Sequence, residues 1–477
     1  MCCSPWPDAP KRPVVRAWAS RRLPCSGVLT AALLIGCTTQ TPVATVVTPS
    51  QSSIASPSAS PLALGPPQYR ALWVDAFHDG MKSPAQVEKL VADARRGNLN
   101  ALIVQVRKRG DAYFNQSDEP RATDIQGPPE FDPLAYLILL AHDSTPRIEV
   151  HAWLNTFFVG DTSTVFANHR SAWGMLSNTG TKSGSLDPGV PAVLTYTHQI
   201  FMDVAKHYDI DGLHMDYVRY PGADWGYNPN AVALYKLQTG ATTTPAPDDE
   251  AWKAWRRGRV TAFVRDLHAD LKRTKPNVKL SGALISYGGG PASAADWPLT
   301  SAYGDVFQDW YGWLVNRYID FGVPMNYDSA WDSLEQAWFQ RWLDFEKNSG
   351  FGNRIITGVG GFMNYTEDTL MQIRLALAPS ARGGRLLGIA IYSYGSTSVY
   401  GNADYYNSAE MAAGLPRQPY YAGISHRESP SARARIFNSA FMNQLRRADM
   451  YWDVARGWVT TKGIFTRPAA VPVLPAA

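Results

Sequence analysis

An aspartate closing an apolar, alternating segment has the clearest claim on chemistry in this chain. In Asp211-Gly-Leu-His-Met-Asp-Tyr-Val-Arg-Tyr-Pro221, Leu213 and Met215 alternate with His214 and Asp216, and Tyr217, Arg219 and Tyr220 follow. A strand sends alternate side chains to opposite faces, so His214 and Asp216 share one face. Polar groups of this density at a strand end are costly to bury without a task. Other predicted strand ends present Asp75, Asp111, Asp161 and Asp328, the amides Asn155 and Asn326, and His78, Arg107 and Arg109. Carboxylates without a nucleophilic Ser or Cys suit hydrolysis by paired acids. One carboxyl group, its pKa raised, protonates a leaving oxygen, while the other stays ionised and attacks or directs water. Serine elbows, HExxH helices and phosphate-binding loops are absent. Gly358-Val-Gly-Gly361 is not a dinucleotide fingerprint, because position 363 is Met. No pair of histidines stands at metal-ligand spacing with a carboxylate, so neither a metal nor a cofactor is expected.

The elements that must hold these residues alternate. Eight strand-like segments fall at 71–76, 101–106, 148–154, 212–218, 278–285, 318–325, 354–359 and 386–391. Helical segments at 83–96, 132–142, 191–208 and 249–274 lie between them, the first with Ser83 as N-cap and Pro84 at its first position. Such alternation predicts a parallel sheet. Eight repeats over this length fit an α/β fold of the (β/α)8 or TIM-barrel type, with enlarged βα loops. Active-site residues of that fold sit at the carboxyl ends of the strands, where Asp216 is predicted. A doubly wound sheet is the alternative, but it usually carries a glycine-rich phosphate loop, which is missing here. Trp73, Trp153, Trp225, Trp310, Trp313 and Trp331 fall on or just after predicted strands or loops. Flat indoles pack against the apolar faces of sugar rings; taken singly, each also suits core packing.

The N-terminus is organised differently. Lys11, Arg12, Arg16, Arg21 and Arg22 against Asp8 account for the formal charge of +4, so the remainder is about neutral. That argues against a nucleic-acid partner bound through a broad basic face. The basic stretch precedes a short apolar run, 28–35, and then Gly36-Cys37. This is the pattern of a secretory signal, too short for a membrane span. Leu34-Ile-Gly-Cys37 resembles a bacterial lipobox, with Cys37 as the lipid-modified residue. The four cysteines, Cys2, Cys3, Cys25 and Cys37, leave the exported part without a disulfide or thiol nucleophile. Residues 38–67, rich in Thr, Ser and Pro and uncharged, read as a flexible tether. The domain reading is therefore signal with lipobox 1–37, linker 38–67, barrel 68–410 and C-terminal extension 411–477. In the extension, 431–451 looks helical and the last ten residues frayed.

Across residues 69–395 the chain resembles the glycosyl-hydrolase-like 10 family, exported bacterial proteins and lipoproteins with a barrel related to glycoside hydrolases. The resemblance rests on ordered motifs. They are Arg70-Ala-Leu-Trp73, Gln105-Val-Arg107 with Gly110-Asp-Ala-Tyr113, Phe131-Asp-Pro-Leu134 and His151-Ala-Trp-Leu-Asn155. Further on come Leu186-Asp-Pro188, the Asp211–Tyr217 segment with Tyr220-Pro221, Trp255-Arg-Arg257 and Val323-Pro-Met-Asn-Tyr327. It implies a barrel hydrolase acting on glycans, some members being linked to peptidoglycan strands lacking stem peptides. Asp216 falls on the family's strand-four acid. Met215 stands where many members carry a second acid, and Arg109 where some carry an acidic group after strand two. A looser similarity to α-amylase-type barrels stops at strand five, where Leu284-Ile-Ser-Tyr287 has no glutamate.

The expectation is a surface-anchored glycoside hydrolase of a cell-wall glycan or related polysaccharide. Asp216 is its leading carboxylate, with Asp111, Asp75 and Asp328, in that order, competing as partner. Gln105, Arg107, Trp153, Asn155, His214, Tyr217, Asn326 and Tyr327 would line the subsites. Two rivals remain open: a glycan-binding lipoprotein on a degenerate barrel, and a lyase using Asp216 as base with Arg107 as cation.

Overall fold

The computed structural model describes residues 65–397, 419–420, 440–447, 449–453 and 457–474. The predicted signal with Cys37, the tether up to residue 64, and the start of the predicted extension lie outside the described residues.

The first third of the described chain holds β1 (Tyr69–Val74), α1 (Pro84–Arg96), β2 (Ala101–Arg107), α2 (Pro133–His142) and β3 (Glu149–Asn155). Then come α3 (Thr164–Trp173), a hairpin of β4 (Gly174–Leu176) and β5 (Lys182–Leu186), α4 (Pro191–His207) and β6 (Gly212–Asp216). The segment α5 (Pro229–Thr239) and α6 (Glu250–Thr274) leads to β7 (Lys279–Leu284), α7 (Ser301–Gly304), α8 (Trp310–Val315) and β8 (Phe321–Pro324). Finally α9 (Ser333–Asn348), β9 (Ile356–Gly360), α10 (Thr366–Leu377) and β10 (Gly388–Tyr392) complete the repeats.

Eight of these strands form one parallel sheet in the order β8-β7-β6-β3-β2-β1-β10-β9. Its two edges meet through a parallel bridge between Gly322 and Ile355, so the sheet curls into a nearly closed barrel. Each strand follows its predecessor around the ring, as a (β/α)8 barrel requires. All eight predicted strands are present, and their ends move by a few residues for local reasons. Beyond Val74, for example, the amide of Ala76 bonds the Gln105 side chain at 3.0 Å instead of a strand partner. Helix starts follow sequence chemistry: Ser83 caps α1, and Asp132 caps α2 through the amide of Ala135. Each such cap contributes about 1 kcal/mol. The sequence reading missed α3, the β4–β5 hairpin and α5, all inside segments taken as loops or insertions, and placed none of α7 to α10.

Inward side chains fill the barrel in layers. Near the amino ends of the strands, Glu149 accepts from Tyr69 at 2.9 Å, pairs with His151 at 3.0 Å, and binds Lys279. Burial pushes the Glu149 carboxyl up, but His151 and Lys279 outweigh it and hold it down at about 2. Midway, Trp73 donates to His214, which bonds Ser281. Gly358 on β9 makes room for this layer. A Cβ there would lie 2.6 Å from the Pro324 carbonyl and 3.1 Å from the Trp73 ring.

Beneath the barrel, the segment that reads as a frayed end is held by backbone bonds. The carbonyl of Pro468 accepts from Gly65 at 2.7 Å, and that of Ala470 from Gln68 at 3.2 Å. Arg70 stacks over Phe465 at 4.4 Å. In the region predicted helical at 431–451, residues 440–446 are helical. Residues 449–453 are instead strand β12, between β11 (Pro419–Tyr420) and β13 (Gly457–Thr461). Its alternation of Met450 and Trp452 with polar neighbours suits a strand better than a helix.

Candidate active site

Asp216 is the last residue of β6, at the carboxyl end of the barrel, and is 6% exposed. Its Oδ1 accepts from the amide of Tyr217 at 2.6 Å and from Arg219 Nη1 at 3.2 Å. Among the described residues no donor reaches Oδ2. The protein thus fixes one oxygen through two donors. The backbone turns sharply here: Tyr217 sits at φ +49°, a region that side-chain-bearing residues rarely adopt. Observed strain of this kind is a pointer toward function. The turn lays the Tyr217 ring on Phe158, centroids 5.1 Å apart, with Arg219 stacked 4.5 Å from it. Burial opposes the charge on Arg219, but Tyr287, Asp216 and Tyr217 together hold it firmly protonated.

An aromatic ring surrounds the centre. Tyr392, at the end of β10, packs against Trp73 at 5.9 Å, Trp153 at 6.4 Å, Tyr327 at 5.3 Å and Phe362 at 5.7 Å. Burial first, then the charges of Asp75, Tyr217 and Asp216, push the Tyr392 phenol well up. Tyr392 therefore lies within electrostatic reach of both Asp75 and Asp216. Tyr327 is likewise raised by burial, Tyr392 and Asp216. Trp153 is 4% exposed, and its buried Nε1–H has no partner. Of the predicted subsite residues, Tyr217 bonds Asp216 through its amide, Tyr327 lies within its electrostatic reach, and Trp153 meets Tyr392.

Other predicted subsite residues are placed as scaffold. A bulge in the β2–β3 ladder pairs Gln105 with Trp153 but Arg107 with Leu154. It turns Arg107 away from the inward face that Gln105 keeps. Arg107 is 0% exposed and forks onto Glu119 with two 2.6 Å bonds. It also donates to the carbonyls of Asn155 and Thr156. Gln105 donates to Asn155 at 3.0 Å, and Asn155 to the Lys108 carbonyl at 2.7 Å, so both tie strand ends together. His214 accepts from Trp73 through Nε2 at 3.2 Å and meets Ser281 through Nδ1. Burial holds it neutral, its pKa well below the ordinary value. Asn326 faces the helix behind β8, donating to the Phe339 carbonyl at 3.2 Å. Trp310 and Trp313 are fully buried core residues.

The three competitors for the partner role differ sharply. Asp111 closes its own turn, with Oδ1 accepting from the amides of Lys108 at 3.0 Å and Arg109 at 2.7 Å. Asp328 is 6% exposed, and its buried Oδ2 lacks a partner. Burial and the nearby Glu335 push it up to about 8. A carboxyl group held neutral in this way could donate a proton, but the acidic side chains that reach it, Glu335 and Glu346, both lie on α9. Asp75 is buried and saturated. Oδ1 takes the amides of Phe77 and His78 and the His78 ring, and Oδ2 takes Ser393 at 3.0 Å.

Sequence reasoning passed over three contributors. Tyr392 lies one residue beyond the strand predicted at 386–391. Tyr287, 44% exposed, was weighed only for not being a glutamate, yet it reaches Arg219 electrostatically. Asp187, in Leu186-Asp-Pro188, is fully buried and accepts from the amides of Gly189 at 2.8 Å and Asn228 at 3.2 Å. Burial nonetheless pushes it up to about 6. Fixing the loop after β6 in this way is a positioning task. A cavity of about 360 Å³ lies at the opposite end of the barrel, lined by Arg95, Arg96, Thr145 and Arg446 among others. No carboxylate lines it. Among the described residues, no cluster of three or more His, Cys, Asp or Glu side chains could hold a metal ion.

The nearly closed parallel barrel, with a carboxylate and aromatic side chains at its carboxyl end, is of the TIM-barrel class. The fold is shared with the glycoside hydrolase domain of PgaB (BpsB) from Bordetella bronchiseptica. That match has a TM-score of 0.53 and 15% identity, over 72% of this chain and 98% of that one. The chain belongs to the glycosyl hydrolase-like 10 family, whose model matches residues 68–352. It is also similar to the glycosyl hydrolase YngK of Bacillus subtilis (strain 168), with 30% identity over 273 residues. The match spans 52% of this chain and 51% of that relative, about half the length of each.

Proposed function

We propose that the protein hydrolyses glycosidic bonds in a bacterial cell-wall glycan, with peptidoglycan strands stripped of stem peptides as the favoured substrate. The observation that carries the reading is Asp216. One of its oxygens is locked by Arg219 and Tyr217, and the other opens at the barrel's carboxyl end among aromatic rings. A carboxylate paired with a guanidinium at a strand end suits attack on, or activation of water toward, a sugar carbon. Trp153, Tyr217 and Tyr327, with the exposed Tyr287, offer flat faces for sugar rings.

Chain-end chemistry tests this reading. Glycan strands incubated with the full-length protein should gain new reducing ends. Anhydro or unsaturated ends would indicate elimination, which loses its expected cation because Arg107 is committed to Glu119. Binding without new ends would favour the glycan-binding alternative, which draws on the engagement of Asp75 and Asp111 within the protein. The same reading places the protein at the cell envelope through a lipid on Cys37. Replacement Cys37→Ala should move it from the membrane to the soluble fraction, and unchanged fractionation would rule out that anchor.

A further inference from the structure

Asp216 needs a partner that can hand a proton to the leaving oxygen, and none of the three carboxylates weighed for that task is free and shown beside it. Asp75 is tied to the same strand end: its Oδ2 accepts from Ser393 at 3.0 Å, next in the chain to Tyr392, on which the charges of Asp75 and Asp216 both act. Its carboxylate is 1% exposed as a side chain and accepts four hydrogen bonds, so it cannot itself touch a substrate. One of the four comes from His78 Nδ1, at 2.7 Å. The His78 side chain is 56% exposed, and among the described residues its Nε2 has no protein partner. The ring also lies tightly against Gly395, where a Cβ would come within 2.5 Å of it. A carboxylate behind one ring nitrogen, with the other facing solvent, fixes the tautomer and orientation of an acid–base imidazole.

We infer that His78, held through Nδ1 by Asp75, is the proton-carrying catalytic group that works with Asp216, and that Asp75 is its positioning residue. The inference rests on the glycosidase reading of the same site. In the forward step the His78 Nε2–H proton passes to the glycosidic oxygen. The bond from that oxygen to the anomeric carbon breaks, its electron pair remaining on the oxygen. A water oxygen bonds to the anomeric carbon and gives its proton to Asp216 Oδ2. One water is consumed, two hydroxyl-bearing chain ends form, and the neutral imidazole and protonated carboxyl group exchange protons with solvent to reset.

The charged groups facing His78 favour this role. Asp75 raises its pKa most, and Asp79 adds to that, while burial and Lys82 act the other way. The net direction is upward, so the imidazolium persists to higher pH than an ordinary histidine, whose pKa is about 6.5. Activity that needs the imidazolium is therefore present at low pH and lost as pH rises through the raised value. Removing the Asp75 charge moves that loss to lower pH.

The test uses full-length protein and peptidoglycan glycan strands freed of stem peptides. His78→Ala should lower kcat by about 10²-fold or more, and added imidazole should restore part of the loss. Asp75→Asn should shift the basic limb of the pH profile downward, which a purely structural role would not do. Asp216→Asn should not respond to imidazole. A His78→Ala protein with wild-type kcat and pH profile overturns the inference while leaving the glycosidase reading intact. So does an inactive His78→Ala protein that imidazole does not restore, paired with an unmoved basic limb in Asp75→Asn. Wild-type protein that cleaves no strand overturns both.

Discussion

Replacing Asp216 with asparagine should lower kcat by about 10²–10⁴-fold while leaving the barrel folded and glycan binding largely intact. The amide is the same size, and its oxygen can still accept from the Tyr217 amide and Arg219, now at 2.6 and 3.2 Å from Oδ1. What it loses is the charge and basicity of the outward oxygen. An interaction needed only in the transition state should reduce kcat and kcat/KM together, with KM little changed. Steady-state kinetics beside a binding isotherm separates these quantities. A mainly raised KM would make Asp216 a binding group instead. The Arg219–Asp216 pair is buried, so a modest fall in melting temperature is also expected, and circular dichroism would show whether the fold survives.

The largest effect on stability is expected at Arg107. Its guanidinium is wholly buried, doubly bonded to Glu119, and donates to the carbonyls of Asn155 and Thr156. Tyr196 also donates to Glu119, bringing α4 into the network. Removing one member leaves a buried carboxylate and two carbonyls short of donors. Arg107→Met should therefore destabilise the protein by about 3–5 kcal/mol. Removing both charges, as Arg107→Met with Glu119→Met, should cost clearly less than the two single changes added together. Denaturant melts of the four proteins give the coupling. Additive losses would mean that the pair holds little of the β2–β3 loop structure. A lesser loss of activity should accompany the single change, because Asn155, Gln105 and the strand ends around the site lean on this network.

Period and punctuation made the barrel legible in the sequence. Eight apolar runs bounded by turn residues matched eight strands, and Ser83-Pro84 and Asp132-Pro133 marked the helix starts where they occur. Asp216 was legible because alternation fixed its face and strand position. Arg107 was not. One residue of bulge after Gln105 reversed the face it was expected to share, and nothing in Gln105-Val-Arg107 announces a bulge. His214 shared the inward face with Asp216 as predicted, but depth decides its role. One layer down, it meets Trp73 and Ser281 and no cleft. The relation of Asp75 to His78 spans three residues of irregular chain, where no periodicity speaks. Tyr287, which reaches Arg219, and Tyr392, which Asp216 reaches, became visible only after strands far apart in sequence closed into one ring.

The central claim is hydrolysis directed by Asp216, and the origin of the oxygen at the cleaved sugar tests it most directly. Glycan strands should be cleaved in water enriched in heavy oxygen, and the new chain ends weighed by mass spectrometry. Wild-type protein should place one labelled oxygen at each new reducing end, and Asp216→Asn should yield almost no labelled ends over the same period. Unlabelled ends, or labelled ends formed as fast by Asp216→Asn as by wild type, would contradict it.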